Sequence, residues 1–257
     1  MTTLPDLLAA ARPTDTGFTA HIPANWLQGR TAYGGLSSAL ALHAAQMSDT
    51  DLPPLRSAQV AFVGPLAGDV TVTATRLRRG RNAAFIQSDI TSDAGLGYRA
   101  TFVFMAAQVS AIDHDRRTPA TETPPAPDRA LYRGPPEFFT GNFQFLDYKD
   151  RPRPAELLRW VRLIDRTGLD PAVEVMAVAD ALPPAAFQLL GKAFKPLSSL
   201  TWIVNLLTPA PATTDGWWLL AAETDYARGG SSSQTMRLWN AAGELVVEGM
   251  QSVAIFG

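Results

Sequence analysis

The sequence predicts an α+β protein of two similar halves, each an antiparallel sheet wrapped around one apolar helix. Three observations carry this. A proline-rich stretch divides the chain near its middle, the same order of local signals recurs on either side, and each helix-like run is followed by several strand-like runs joined by short turns. Short turns favour antiparallel neighbours, because a parallel pair needs a long crossover.

The dividing segment runs from about Ala107 to Pro136 and holds Pro119, Pro124, Pro125, Pro127, Pro135 and Pro136. Proline lacks the amide donor for helix or ladder, so the segment reads as an extended connector. The expected domains are therefore 1–107, a connector 108–136, and 137–257. In the first half Pro54-Leu55-Arg56-Ser57 opens a strand-like run, and in the second Pro196-Leu197-Ser198-Ser199 does so. Asp93-Ala94-Gly95 and Ala241-Ala242-Gly243 likewise punctuate matching pairs of runs. Several matches in one order point to an internal duplication.

In the first half, Gly34-Gly35 precedes a run rich in Ala and Leu, about Leu36 to Met47, expected to be helical. Strands are expected at Ala58–Phe62, Val70–Leu77, Ala83–Thr91 and Tyr98–Met105. In the second half a helix is expected over Ala172–Leu182. Strands should follow near Leu200–Leu206, Trp217–Glu223, Ser232–Trp239 and Leu245–Ile255.

Composition narrows the function. Of 257 residues, 46% are hydrophobic and 18% charged, which suits a folded chain with ample apolar material. A net charge of -2 gives no reason to expect a nucleic-acid partner. Cysteine is absent, which removes disulfides, thiolate metal sites and a cysteine nucleophile, and suits a reducing cytoplasm. Residues 1–11 show no basic region leading into a long apolar run, and no apolar stretch approaches the roughly 20 residues of a membrane helix. The expectation is a cytoplasmic protein with no membrane partner, no metal and no cofactor. The histidines, His21, His43 and His114, form no ligand-spaced cluster, no serine sits in a Gly-x-Ser-x-Gly elbow, and no phosphate loop is present.

Three residues stand out against their surroundings. Along the last strand Leu245, Val247, Gly249, Gln251, Val253 and Ile255 share one face. A primary amide among apolar neighbours must find partners or cost about 1–3 kcal/mol. Asp180 lies near the C-terminal end of a helix-like run that is apolar nearly all round, Val173 to Leu182, and Pro183-Pro184 comes directly after the run. Burial and the helix C-terminus both oppose its charge. Ser199 opens a strand, with Thr201 expected on the same face; serines at strand starts commonly serve turns. Two further features suit a ligand. Gly34-Gly35 leaves the amides at a helix start uncrowded, or simply permits a tight turn into the helix. Arg76, Arg78, Arg79 and Arg81 around Gly80 form a basic knot for phosphates, or a solvated hairpin end.

At these residues the chain resembles the acyl-CoA thioesterase II family, the TesB-like double hotdogs. Tyr33-Gly34-Gly35-Leu36 leading into a helix, Gln59 to Pro65, and Arg79-Gly80-Arg81-Asn82 are similar to family segments. The resemblance spans nearly the whole chain apart from the connector. It implies two fused hotdog domains and an acyl-CoA substrate. It also implies that Asp180, Ser199 and Gln251 hold the water that cleaves the thioester, with Tyr33, Gly34, Gly35 and Arg81 contacting substrate. A homodimer or larger homo-oligomer is implied too. Two departures stand out. Thr201-Trp202 replaces an Asp-His pair, and Ser252-Val253 replaces Glu-Gly. The first half lacks its own set: Ser57 corresponds to Ser199, but Val103 falls at the place of Gln251 and the helix Leu36–Met47 contains no acid. One site per chain is expected, in a groove between the halves. The competing readings are a non-catalytic acyl-CoA sensor and a hotdog acyl-CoA hydratase; the second would need a catalytic histidine, and none sits at a matching position.

Overall fold

The computed structural model describes residues 1–147, 154–191 and 195–256. Its first half comprises helix α1 (Leu4–Ala9), strands β1 (Arg12–Thr14) and β2 (Gly17–Ile22), and a small ribbon of β3 (Leu27–Gln28) and β4 (Thr31–Ala32). Helix α2 (Gly34–Met47) follows, then strands β5 (Leu55–Phe62), β6 (Gly68–Arg79), β7 (Ala83–Ser92) and β8 (Gly95–Met105). The second half has β9 (Phe143–Asp147), β10 (Glu156–Leu163), helix α3 (Pro171–Val178), a 3-10 segment (Ala185–Leu190), β11 (Leu197–Leu206), β12 (Trp218–Arg228), β13 (Ser231–Asn240) and β14 (Leu245–Ile255).

Apart from the β3–β4 ribbon, the strands form one twelve-stranded sheet in the order β1-β2-β6-β7-β8-β5-β11-β14-β13-β12-β10-β9. The order is palindromic by role: β8 and β14 each flank the strand at the joint, and β7 and β13 come next outward. The joint itself is the antiparallel pair β5–β11, with Val60 opposite Trp202 and Ala58 opposite Val204. Each half alone would leave that strand an open edge. Two fused hotdog domains, each an antiparallel sheet around a central helix, are thus joined by backbone hydrogen bonds. No helix among the described residues is long and apolar enough to cross a membrane.

Helix α2 forms from a strong helix-former run and is buried almost completely, including Ser37 and Ser38. Those two hydroxyls return to the helix's own carbonyls, Ser38 Oγ to Gly34 O at 2.9 Å and Ser37 Oγ to Tyr33 O at 3.5 Å. Helix α3 begins with Pro171 at its first turn, and the Asp170 side chain caps the Ala172 and Val173 amides. It ends at Val178 rather than continuing to Leu182. The Ala181 amide turns back to the Val178 carbonyl, and Pro183-Pro184 forbids continuation. The two helices pack against each other within one apolar core that draws on both halves, including Leu40, Ala44, Val175 and Met176.

The connector lies along the outer face of the second half's sheet. Trp239 Nε1 donates to Thr118 O at 2.8 Å, and the Ala120 amide donates to Gly243 O at 2.9 Å.

Candidate active site

Asp180 lies two residues beyond α3, in the turn that ends that helix, and faces the first turn of α2. A Cβ added at Gly34 would stand 2.5 Å from Asp180 Oδ2, and one at Gly35 would stand 2.5 Å from the Ala177 carbonyl oxygen. The two glycines are therefore what lets the start of α2 close onto the end of α3. The Gly35 backbone amide hydrogen-bonds the Asp180 carboxylate. Tyr33 is turned into the core. It is buried, stacked on Phe139 at 4.3 Å, and its hydroxyl donates to the Ala177 carbonyl at 2.7 Å. Its hydroxyl thus ties the last turn of α3 to the start of α2.

Gln251 is 2% exposed on the inward face of β14, and its Nε2 donates to Asp180 Oδ1 at 2.6 Å. Ser199 Oγ donates to Gln251 Oε1 at 3.3 Å. The structure therefore brings Asp180, Ser199 and Gln251 together. Gln234 on β13, directly opposite Gln251 in register, also belongs to the cluster: its Nε2 donates to Gln251 Oε1 at 2.8 Å. Gln234 Oε1 in turn accepts the Ala185 amide at 2.8 Å. Alternation along β13 could have found Gln234, since it shares a buried face with Ser232, Met236 and Leu238.

Thr201 is not on the face of Ser199. A bulge at Leu200 makes Ser199 pair with Val253 and Thr201 with Ser252, so Thr201 turns to solvent and Trp202 turns inward beside Gln251. The first half carries the same bulge at Arg56, with Leu55 opposite Phe104 and Ser57 opposite Val103. Matching the bulges corrects the expected correspondence. Leu55, not Ser57, stands where Ser199 does, and Phe102, not Val103, stands where Gln251 does. An acid survives two residues past α2, where Asp49 lies 3.5 Å from Arg76 Nη1 and 3.9 Å from Arg79 Nε. In that half the acid lies beside cations, and the positions matching the hydroxyl and the amide are apolar.

Arg81 is not brought to the cluster. It sits exposed in the β6–β7 hairpin, whose Arg79 donates to the Asp51 carbonyl near the far end of α2. Helix α2 separates the two places by roughly 20 Å.

Electrostatically, Asp180 sits between opposed effects. Burial pushes its carboxyl up to about 7, against hydrogen bonds from Gln251 and Gly35 that pull it down. Desolvation wins, so near neutral pH the group is poised between acid and base, although Asp180 keeps partial solvent exposure. Tyr33 and Tyr98 are both shifted upward, first by burial, with Asp180 adding to the rise. Trp202 Nε1 is buried with no hydrogen-bond partner among the described residues, and its indole lies over Gly249, where a Cβ would stand 3.1 Å away.

This fold defines the double-hotdog class. Residues 22–109 match the acyl-CoA thioesterase N-terminal domain and residues 110–255 the acyl-CoA thioesterase C-terminal domain. The chain belongs to the acyl-CoA thioesterase family. No curated protein matches it. Among solved structures it is similar to a conserved hot dog fold protein from Alicyclobacillus acidocaldarius, with 20% identity and TM-score 0.81, covering 100% of this chain and 99% of that one. A tesB protein of Mycobacterium avium subs paratuberculosis shares 20% identity at TM-score 0.80, with 99% and 100% covered. An acyl-CoA thioesterase II from Mycobacterium marinum shares 17% identity at TM-score 0.74, with 96% and 94% covered.

Proposed function

We propose that the chain hydrolyses an acyl-CoA thioester to the free acid and CoA by general-base activation of water. The observation that carries this is the 2.6 Å bond from Gln251 to a partly exposed Asp180 at the junction of the halves, in a chain of this family. Asp180 in its ionised form takes a proton from water as the water's oxygen bonds the thioester carbon. Collapse of the tetrahedral adduct breaks the C–S bond, and the proton returns to the departing thiolate. Base assistance of this kind is worth roughly 10²–10⁴-fold.

Ser199 and Gln251 would hold the water at attack distance. The oxyanion would be met at the first turn of α2, where helix geometry leaves amides without intrahelical acceptors and no side chain caps them. Gly35's amide is engaged by Asp180, which leaves those of Gly34 and Leu36. Because Leu55 and Phe102 replace the hydroxyl and amide in the first half, one site per chain is the reading these positions support.

The test is thiol release from a panel of short, long and aromatic acyl-CoAs, for the native protein and Asp180→Asn. Turnover that vanishes in the variant supports the proposal. Acyl-CoA binding with no turnover on any member would replace it with a sensor role.

A further inference from the structure

We infer that Gln234 is a positioning residue for the hydrolysis: it fixes which way round the Gln251 amide sits, and so presents an N–H rather than a carbonyl oxygen to Asp180. This rests on the reading of Asp180 as the base.

The polarity follows from one unambiguous donor. Ala185 opens the 3-10 segment, its amide has no acceptor within that segment, and Pro184 offers no side-chain cap. A backbone N–H can only donate, so the Gln234 atom 2.8 Å from it must be the carbonyl oxygen Oε1. The other end of the same side chain is then Nε2, which can only donate, and it meets Gln251 at 2.8 Å. That makes the Gln251 atom Oε1 and turns its Nε2 to Asp180. The Ser199 hydroxyl must likewise donate to Gln251 Oε1, which leaves the serine's lone pairs free to accept from water. With Asp180 Oδ2 as a second acceptor, both hydrogens of a water are held and its own lone pair is free to attack. A rotated Gln251 would aim Oε1 at the carboxylate, which favours the protonated acid and removes the base.

Gln234 does this from a buried position, 2% exposed, without reaching the carboxylate itself. The other titratable groups bearing on Asp180 among the described residues are Tyr33, at the start of α2, and Tyr98, on β8; Asp180 raises both, and burial keeps them neutral. No cation among the described residues contributes to the Asp180 shift, so among them the amide orientation is what opposes its desolvation, together with the Gly35 amide.

The experiment compares Gln234→Leu and Gln234→Glu with the native protein in kcat, KM and the pH dependence of kcat, with thermal unfolding alongside. Leucine removes the donor without adding charge. Glutamate keeps the shape and still accepts from Ala185, but cannot donate to Gln251 when ionised. Both should lower kcat about tenfold with KM changed little, and move the acidic limb of the profile upward by about one pH unit, glutamate more than leucine. A lower melting temperature with an unmoved limb would reduce Gln234 to a packing residue and overturn the inference. Should the leucine variant fail to fold, the glutamate profile decides on the same criterion. If the native protein itself shows no acidic limb, or Asp180→Asn retains turnover, the base assignment fails instead, an outcome distinct from a native limb that Gln234 variants leave in place.

Discussion

Replacing Asp180 by Asn should separate catalysis from stability, because the structure makes this acid costly to the fold. Its carboxyl rises from 3.8 to about 7, so the folded protein binds that proton more tightly than the unfolded chain does. Stability from this group is therefore greatest at low pH, declines as pH climbs from about 4 to about 7, and is level above that. One unit is worth about 1.4 kcal/mol, which sets a ceiling of about 4 kcal/mol, and partial exposure of the side chain brings the working figure to about 2 kcal/mol. Asparagine keeps the acceptor for Gln251 but can set its own NH₂ against the Gly35 amide, a cost that does not depend on pH. The variant's stability relative to the native protein should thus improve by about 2 kcal/mol between pH 4.5 and pH 8, whatever its absolute value. Urea unfolding at the two pH values measures the difference, with hydrolysis followed on the same preparations. A gap that stays constant across pH would show that Asp180 is not a desolvated acid. The native kcat should rise with pH through about 7, since the ionised form is the base.

Gly34→Ala places a methyl group 2.5 Å from Asp180 Oδ2 and 2.8 Å from Phe62 Cε1, and the carboxylate must move; kcat should fall about 100-fold, read by steady-state hydrolysis. Ser199→Ala removes a 3.3 Å hydrogen bond to a Gln251 that keeps two other partners, so kcat should drop only about tenfold with little change in KM. Tyr33→Phe leaves the Ala177 carbonyl without its buried donor, which should cost about 1–2 kcal/mol and lower the melting temperature by about 2–6 °C.

Features governed by local pattern were legible in the sequence, and those set by long-range geometry were not. Gln251 stood out because strand alternation is local, and β14 begins and ends where alternation puts it. Asp180 stood out because its helix-like run is apolar nearly all round, yet its partners Gly34 and Gly35 lie some 145 residues away along the chain and meet it only through helix packing. The bulge at Leu200 has no marker in Ser198-Ser199-Leu200-Thr201, and it alone decides that Trp202 rather than Thr201 faces inward. Strands β1 and β9 are short runs at the two edges of the sheet, as in Arg12-Pro13-Thr14, and β2 and β10, which pair with them, have no counterpart in the order of elements read from the sequence. In one dimension the basic hairpin admitted both a phosphate site and a solvated hairpin end. In three, Arg76 and Arg79 serve the acid at the other end of α2.

The duplication explains why the candidate site needs both halves. The second half supplies the acid, amide and hydroxyl, but its carboxylate is stabilised by an amide of the first, and Phe62 on the first half's joining strand closes over Gly34. In the first half Asp49 sits beside Arg76 and Arg79, and apolar Leu55 and Phe102 stand at the positions of Ser199 and Gln251. Burial pushes the Asp180 carboxyl up to about 7 against the two hydrogen bonds that pull it down, which poises it to accept a proton near neutral pH. Two copies of one frame thus surround their acids differently, with guanidinium groups beside Asp49 and, beside Asp180, the Gln251 amide that Gln234 holds.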